Sequence, residues 1–112
     1  MNYQVVFHVD EMEKWPLVFG NLHNFLRSIE ETEAVDLHVV ANAAAVRAVK
    51  NEEYRAEIRQ LAEKKVSFEF CQIAVAGNEI DAKKAAETVT LIPSGIVRLV
   101  ELQAAGCAYI KP

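Results

Sequence analysis

Short apolar runs rich in β-branched residues alternate with helical patterns along the chain, and this alternation constrains the fold most. The predicted strands cover residues 3–9, 35–41, 66–70, 89–92 and 107–110. The predicted helices cover residues 15–29, 43–49, 53–64 and 95–105, with one short helix after Asp81. Strands that are apolar throughout are typical of a parallel sheet with helices on both faces. We therefore predict an α/β fold, a three-layer α/β/α sandwich with a mostly parallel five-stranded sheet whose strand order stays open.

The length and charge of the chain limit the kinds of protein it can be. Its 112 residues suit one domain and are too few for two, so residues 1–112 are interpreted as a single domain. A net charge of −4 argues against binding to nucleic acid or to an anionic membrane. No apolar run approaches the ~20 residues of a membrane span, and the first residues lack a signal-peptide pattern. We expect a cytoplasmic protein in which Cys71 and Cys107 remain thiols.

Polar and reactive side chains follow the predicted strands at one edge of the sheet. Ligands of open parallel sheets bind at the carboxyl ends of the strands, where loops and helix N-termini converge. The residues expected at this edge are His8, Asp10, Asn42, Cys71, Ser94 and Gly95. Ser94 is also the predicted N-cap of the last helix. The sequence therefore predicts one site, at the carboxyl edge of the sheet.

Cys71 is the candidate nucleophile of this edge. The thiolate is the reactive form of a cysteine, and backbone N–H groups at a helix N-terminus favour it. Residues 72–76, which we expect to form a loop, contain no acidic side chain. The residues alone leave open a second interpretation, in which Cys71 is buried and packs as a small apolar side chain.

Cys107 is expected to lie at the opposite edge of the sheet from Cys71. It begins the fifth predicted strand, whereas Cys71 ends the third. In parallel strands this places the two on the order of 10–15 Å apart, and a disulfide needs Cα atoms within ~7 Å. We therefore interpret Cys107 as structural.

Sequence motifs for metals and cofactors are missing. The histidines His8, His23 and His38 show no metal-ligand spacing, and four glycines cannot assemble a phosphate-binding or dinucleotide-binding loop. We predict no metal and no organic cofactor. His38, in the middle of a strand, is expected to be hydrogen-bonded in the core or at an interface.

Four segments together resemble the DsrE/DsrF-like family. They are VVFHVDEMEKWPLVFGNLHNFL, VVANAAAVRAV, PSGIVRLVELQAAG and the closing AYIKP, and the resemblance spans essentially the whole chain. It implies a compact α/β sandwich that assembles as a trimer or hexamer. It also implies sulfur relay, with a persulfide carried on one cysteine after the third strand. Cys71 occupies the matching position.

The chain departs from the family pattern beside that cysteine. Related sequences often read Cys-x-Asn-Thr-Leu, whereas Ile73 and Ala74 stand at the Asn and Thr positions here. Two polar neighbours of the thiol are therefore replaced by apolar ones. Cys107 stands where relatives often have tryptophan, which we interpret as a change in packing.

Two functions are compatible with these observations. The first is a small oligomeric sulfur carrier or sulfurtransferase that exchanges sulfane sulfur with a donor or acceptor protein through Cys71. Its pocket would be lined by His8, Asp10, Asn42, Ser94 and Gly95. The second is a non-catalytic oligomeric module that binds a small ligand or a partner peptide in the same pocket. Whether the protein is an enzyme stays open at this point.

Overall fold

The computed structural model describes the whole chain, Met1–Pro112. Its strands are β1 (Tyr3–Val9), β2 (Val35–Ala41), β3 (Val66–Cys71), β4 (Thr90–Ile92) and β5 (Ala108–Ile110). Its helices are α1 (Trp15–Ser28), α2 (Glu52–Glu63), α3 (Gln72–Gly77), α4 (Ala82–Ala85) and α5 (Gly95–Ala104), with 3₁₀ segments at Met12–Lys14 and Ala43–Lys50. The predicted fold class is confirmed, and each predicted strand agrees with an observed one to within one residue at either end.

All strand pairs are parallel, and the strand order is β4-β3-β2-β1-β5. The first four strands therefore add one after another in the same direction. The chain then returns through α5 to the far side of β1, where β5 pairs with residues 5–7. As a result α5 crosses the sheet, and the last strand lies beside the first.

The two faces of the sheet are covered unequally. Successive residues of a strand point to opposite faces. On the first face, helices α1 to α4 and the strands enclose a core of 22 buried residues. On the second face only α5 covers the strands, and the buried apolar cluster there is Val6, Val40, Leu99, Leu102 and Cys107. The buried polar residues His8, His38 and Glu69 alternate with first-face core residues along their strands, which places them on the second face.

Two segments differ from the sequence prediction. The expected loop after Cys71 is helix α3, because Val75 packs into the first-face core and holds the segment against the sheet. Residues 43–50 form a 3₁₀ rather than an α-helix, and the segment begins at Ala43 with φ 50°. The Asn78 Nδ2 group donates to the Ala43 carbonyl at 3.1 Å and supports this left-handed backbone. In both places tertiary contacts decide the local structure.

The predicted ends of α5 are confirmed. The Ser94 hydroxyl accepts a hydrogen bond from the Val97 N–H at 3.3 Å, as an N-cap does. Beyond the helix, Gly106 has φ +109°, and a Cβ there would lie 2.8 Å from Gln4 Oε1. The turn from α5 into β5 therefore requires glycine for its backbone conformation, whereas the flexible end of the Gln4 side chain could move aside.

None of the helices combines the length and the hydropathy that crossing a membrane requires.

Candidate functional site

Cys71 lies in the crevice between the carboxyl ends of β3 and β4, opposite Ile92. After β3 the chain turns onto the first face as α3, and after β4 it turns onto the second face as α5. In open α/β sheets such a divergence of neighbouring connections creates the crevice in which ligands bind. Cys71 is a free thiol and its residue is 6% exposed.

The first residue of α5 brings three of the predicted site residues together. A Cβ placed on Gly95 would lie 3.2 Å from the Asn42 Cβ and 3.3 Å from the Cys71 Cβ. The Cβ atoms of Asn42 and Cys71 therefore both lie next to Gly95. Because a larger residue would press on both, glycine is what allows the helix to begin this close to the thiol.

His8 connects Asn42 to the last strand. Its Nε2 lies 2.9 Å from Asn42 Oδ1, and its Nδ1 lies 2.6 Å from the Tyr109 hydroxyl oxygen. An amide oxygen only accepts, so Nε2 carries a proton and donates to it. In the neutral ring Nδ1 then accepts from the Tyr109 hydroxyl. The result is a hydrogen-bonded chain that runs from Tyr109 through His8 to Asn42, beside Cys71.

Sequence reasoning missed Tyr109. Its partner His8 is 101 positions away in the sequence, and the two meet because β5 pairs with β1, where Tyr109 lies opposite Val6. Residues two positions apart on a strand share a face, so His8 and Tyr109 are diagonal neighbours on the second face. The sequence places Tyr109 in the short last strand. Only the strand order shows that its hydroxyl group contacts His8.

Asp10 and Ser94 make other contacts. The Lys111 Nζ donates to Asp10 Oδ1 at 2.9 Å, and this hydrogen bond lowers the pKa of Asp10 below its ordinary 3.8. The pair joins the ends of β1 and β5. The Ser94 hydroxyl is occupied in capping α5. The observed contacts of both residues are structural, and their predicted part in a pocket stays a prediction.

Two surface cavities lie at different distances from the predicted site. One of about 450 Å³ lies at the amino edge of the sheet, between Leu26, Ile29 and Lys65, far from the predicted site. A second, of about 480 Å³, lies between β4 and α5, and Ile92 and Ser94 line it. It borders the crevice, because Ile92 is the register partner of Cys71. Cys71 itself does not line this cavity.

A second polar group lies further down the same face. Glu69 is 3% exposed and accepts hydrogen bonds of 2.5 Å from both His38 Nδ1 and Arg98 Nε. Burial opposes its ionisation, but the hydrogen bonds from His38 and Arg98 outweigh burial and hold the pKa of Glu69 below its ordinary 4.5. The bond to Glu69 in turn raises the pKa of His38 above 6.5. The prediction that His38 is a hydrogen-bonded buried group is confirmed.

Comparisons with known proteins find relatives by sequence and by structure. The model of the DsrE/DsrF-like family matches residues 21–112. A protein of unknown function from Methanobacterium thermoautotrophicum, MTH1491, is similar in structure with a TM-score of 0.88 and 29% identity, over 99% of this chain and 100% of that one.

A conserved protein of unknown function from Bacteroides thetaiotaomicron, BT1422, has a TM-score of 0.76 over 97% of this chain and 94% of its own. At 15% identity this likeness shows the fold alone. No curated protein matches the chain.

Proposed function

The chain belongs to the DsrE/DsrF-like family, and on that premise we propose that it is a small sulfur carrier that holds sulfane sulfur as a persulfide on Cys71. The family relation supports an association with sulfur relay. One observation directs the proposal to this residue: Cys71 is a free thiol in the crevice at the carboxyl end of β3, next to the first residue of α5. Cytoplasmic thiol pools would keep it reduced between cycles.

Sulfur would move by thiolate exchange. The Cys71 thiolate attacks the outer sulfur of a persulfide or polysulfide donor, the sulfur–sulfur bond of the donor breaks, and the donor leaves as a thiolate. An acceptor thiolate then attacks the outer sulfur on Cys71, and Cys71 returns to its thiolate form. Each step conserves electrons and uses only the two reacting partners. For this sulfur transfer the protein must supply an accessible thiol and side chains that orient the donor.

Asn42 is the group best placed to orient the donor. Its Oδ1 accepts from His8, so the Nδ2 group is what the amide offers to a sulfur anion or to the donor. Tyr109 fixes the other nitrogen of His8 and so the orientation of the ring. In this arrangement Asn42 contributes what Ile73 and Ala74 do not, a polar side chain beside the thiol.

The burial of Cys71 favours a second candidate function, a non-catalytic module that binds a small ligand or a peptide in the crevice. At 6% exposure the residue is as enclosed as many packing cysteines. In that case Cys71 would fill space, and the cavity beside β4 would hold the ligand. The two functions differ in one measurable property, the reactivity of Cys71 in the folded protein.

The proposal is tested by brief exposure of the native protein to inorganic polysulfide, an alkylating trap, and peptide-resolved mass spectrometry. Cys71 should gain one sulfur atom, and a reducing thiol should release it. Cys107 is the internal control. Burial, followed by the negative charge of Asp36, raises the pKa of the Cys107 thiol above 9.0, so it stays protonated and should not react.

Two controls make the result decisive. A Cys71→Ser variant should take up no sulfur, and a Cys107→Ser variant should load as the wild type does. If neither cysteine reacts in the native protein while both react in urea, Cys71 is a packing residue. The sulfur-carrier function would then be rejected in favour of the binding module.

We further propose that the protein forms a homo-oligomer, a trimer or hexamer as its family relation suggests, through the outer face of α5. Ile96, Val97 and Val100 lie on this helix and are 59%, 56% and 62% exposed. Residues three and four apart share a helix face, so these three form a continuous apolar stripe. Tyr109 and Ile110, on the edge strand β5, are also exposed large apolar residues. Contiguous apolar surface of this kind marks interaction sites, and a second copy of the chain is the partner that we propose.

A Val100→Glu substitution is therefore expected to shift the protein from oligomer to monomer, because it places a charge within the apolar stripe. Light scattering coupled to size-exclusion chromatography measures the mass directly. Leu17→Glu is the matched control, since Leu17 is an exposed apolar residue of α1, 50% exposed, outside the stripe. A mass that Val100→Glu leaves unchanged, or that Leu17→Glu lowers equally, would contradict this interface.

A further inference from the structure

Three potential metal ligands converge on the second face of the sheet, away from Cys71. A carboxylate oxygen of Asp36, a ring nitrogen of His38 and the sulfur of Cys107 all lie within 4.8 Å of one another. Asp36 and His38 are two positions apart on β2 and share a face, whereas Cys107 immediately precedes β5. Sequence spacing gave no sign of this cluster, because it depends on α5 returning the chain to the side of β1.

The distances suit a metal ion. His38 Nε2 lies 2.9 Å from Asp36 Oδ1. In a tetrahedral zinc site, metal–ligand bonds of about 2.0–2.3 Å place the ligand atoms about 3.3–3.8 Å apart. Side-chain movements on the order of 1 Å would bring the three atoms of the cluster to that separation. Since Asp36 is an exposed side chain, 57% accessible, it can make such a movement.

Glu69 and Arg98 hold the imidazole in the orientation that a metal requires. The His38 Nδ1–H donates to Glu69 Oε2, so Nε2 is the nitrogen that faces Asp36. Arg98 Nε donates to the other oxygen of the same carboxylate. A histidine whose second nitrogen is bonded to a carboxylate is the usual arrangement around protein-bound zinc, where it fixes the ring and increases its basicity.

We propose that Asp36, His38 and Cys107 form a binding site for a zinc ion, with the fourth coordination position open to water or to a ligand. The donor set selects the metal. Magnesium and calcium prefer oxygen ligands alone, and copper(I) prefers sulfur, whereas zinc accepts oxygen, nitrogen and sulfur together. The exposed Asp36 side chain gives the ion a route from solvent, and His38 and Cys107 form the buried floor.

Binding leaves the local charge balanced. In the metal-free protein His38 Nε2–H donates to Asp36 Oδ1 and Nδ1–H donates to Glu69. On binding, the Cys107 thiol and His38 Nε2 each lose a proton to solvent, and His38 coordinates through the lone pair of Nε2 while Nδ1–H stays bonded to Glu69. The Asp36 carboxylate and the Cys107 thiolate then match the two charges of the ion. No electron is transferred in this step, and no further reactant is needed.

The zinc site is separate from the sulfur site. His38 lies four positions before Asn42 along β2, which is about 13 Å at the rise of a strand. Cys107 belongs to the buried cluster under α5 and not to the crevice. Loss of Cys71 should therefore leave zinc binding unchanged, and the two proposals can fail independently.

The test uses the full-length protein, first treated with a chelator and then titrated with Co²⁺ and with Zn²⁺. We expect one Co²⁺ per chain, with the visible bands of a tetrahedral site and a near-ultraviolet sulfur-to-cobalt band, and displacement of cobalt by an equivalent of Zn²⁺. Isothermal titration calorimetry with Zn²⁺ gives the stoichiometry. Absence of a one-to-one complex at micromolar protein would overturn the proposal.

Matched variants assign the ligands. Cys107→Ser should abolish the sulfur-to-cobalt band, and Asp36→Asn, at an exposed position, should weaken zinc binding with no change in the far-ultraviolet circular dichroism. Cys71→Ser should bind as the wild type does. Glu69→Gln should weaken binding by about 10- to 100-fold while the cobalt spectrum keeps its shape, since Glu69 positions the ring and does not touch the ion. A sulfur-to-cobalt band that persists in Cys107→Ser, or affinity unchanged in Asp36→Asn, would show that the metal binds elsewhere and would reject the site.

Discussion

Replacement of Trp15 by alanine is expected to lower the free energy of unfolding by about 3–5 kcal/mol. Trp15 is completely buried at the start of α1, and its ring stacks on Phe70 at 5.7 Å and lies 5.4 Å from Phe19. Its Nε1–H donates to the carbonyl of Ala45 at 2.9 Å. The substitution therefore leaves a cavity in the first-face core and a buried carbonyl without its donor. Since domains of this size are stable by about 5–15 kcal/mol, the variant should be close to unfolding.

Urea unfolding followed by far-ultraviolet circular dichroism measures this effect, because Trp15 is the only tryptophan and its fluorescence disappears with it. Trp15→Phe is the control that separates packing from the hydrogen bond. It keeps most of the apolar volume and loses only the N–H donor, so it should cost about 1–2 kcal/mol. A loss below about 1 kcal/mol for Trp15→Ala would mean that the core does not depend on this ring.

The sequence predicted most of the helices and strands, because local patterns determine them. The β1 and β2 strands were predicted with their observed bounds, and Ser94 was predicted as the cap of α5. The pattern of apolar residues in a strand or helix follows which of its residues are buried, and the capping residue marks the end of a helix. There are two exceptions. The six residues of α3 form a helix because Val75 packs against the sheet. Residues 43–50 form a 3₁₀ rather than an α-helix.

The second face could not be predicted in the same way, because its contacts depend on strand order. The hydrogen bond between His8 and Tyr109 and the approach of Cys107 to Asp36 both require β5 to lie beside β1. Local patterns do not encode which strands are neighbours, and a different order would separate these residues. Cys71 and Gly95 could be assigned to one edge, because the carboxyl ends of parallel strands share an edge in any order.

Glu69→Gln is expected to destabilise the metal-free protein by about 2–3 kcal/mol at neutral pH, the contribution of hydrogen bonds to a charged group. The carboxylate accepts from both His38 and Arg98, one bond on each oxygen. Glutamine has the same shape but one oxygen and one NH₂ group, so one of the two donors would face another donor. Arg98 is partly exposed and can turn to solvent, which limits the loss. His38 is nearly buried and cannot turn to solvent.

The pH dependence of this difference shows whether the charge of Glu69, and not only its hydrogen-bonding pattern, stabilises the fold. The pKa of Glu69 is lowered in the folded protein, so its contribution is present above about pH 4.5 and is lost as the pH falls through the folded value. The pKa of His38 is raised, so its contribution is present below about pH 6.5 and is lost as the pH rises through the folded value. The difference between wild type and Glu69→Gln should therefore be largest between these limits and smaller on either side. Urea unfolding across a pH series, with a chelator present, measures it. A difference that does not vary with pH would show that the charge of Glu69 does not stabilise the fold, and the second face would then lose its main electrostatic support.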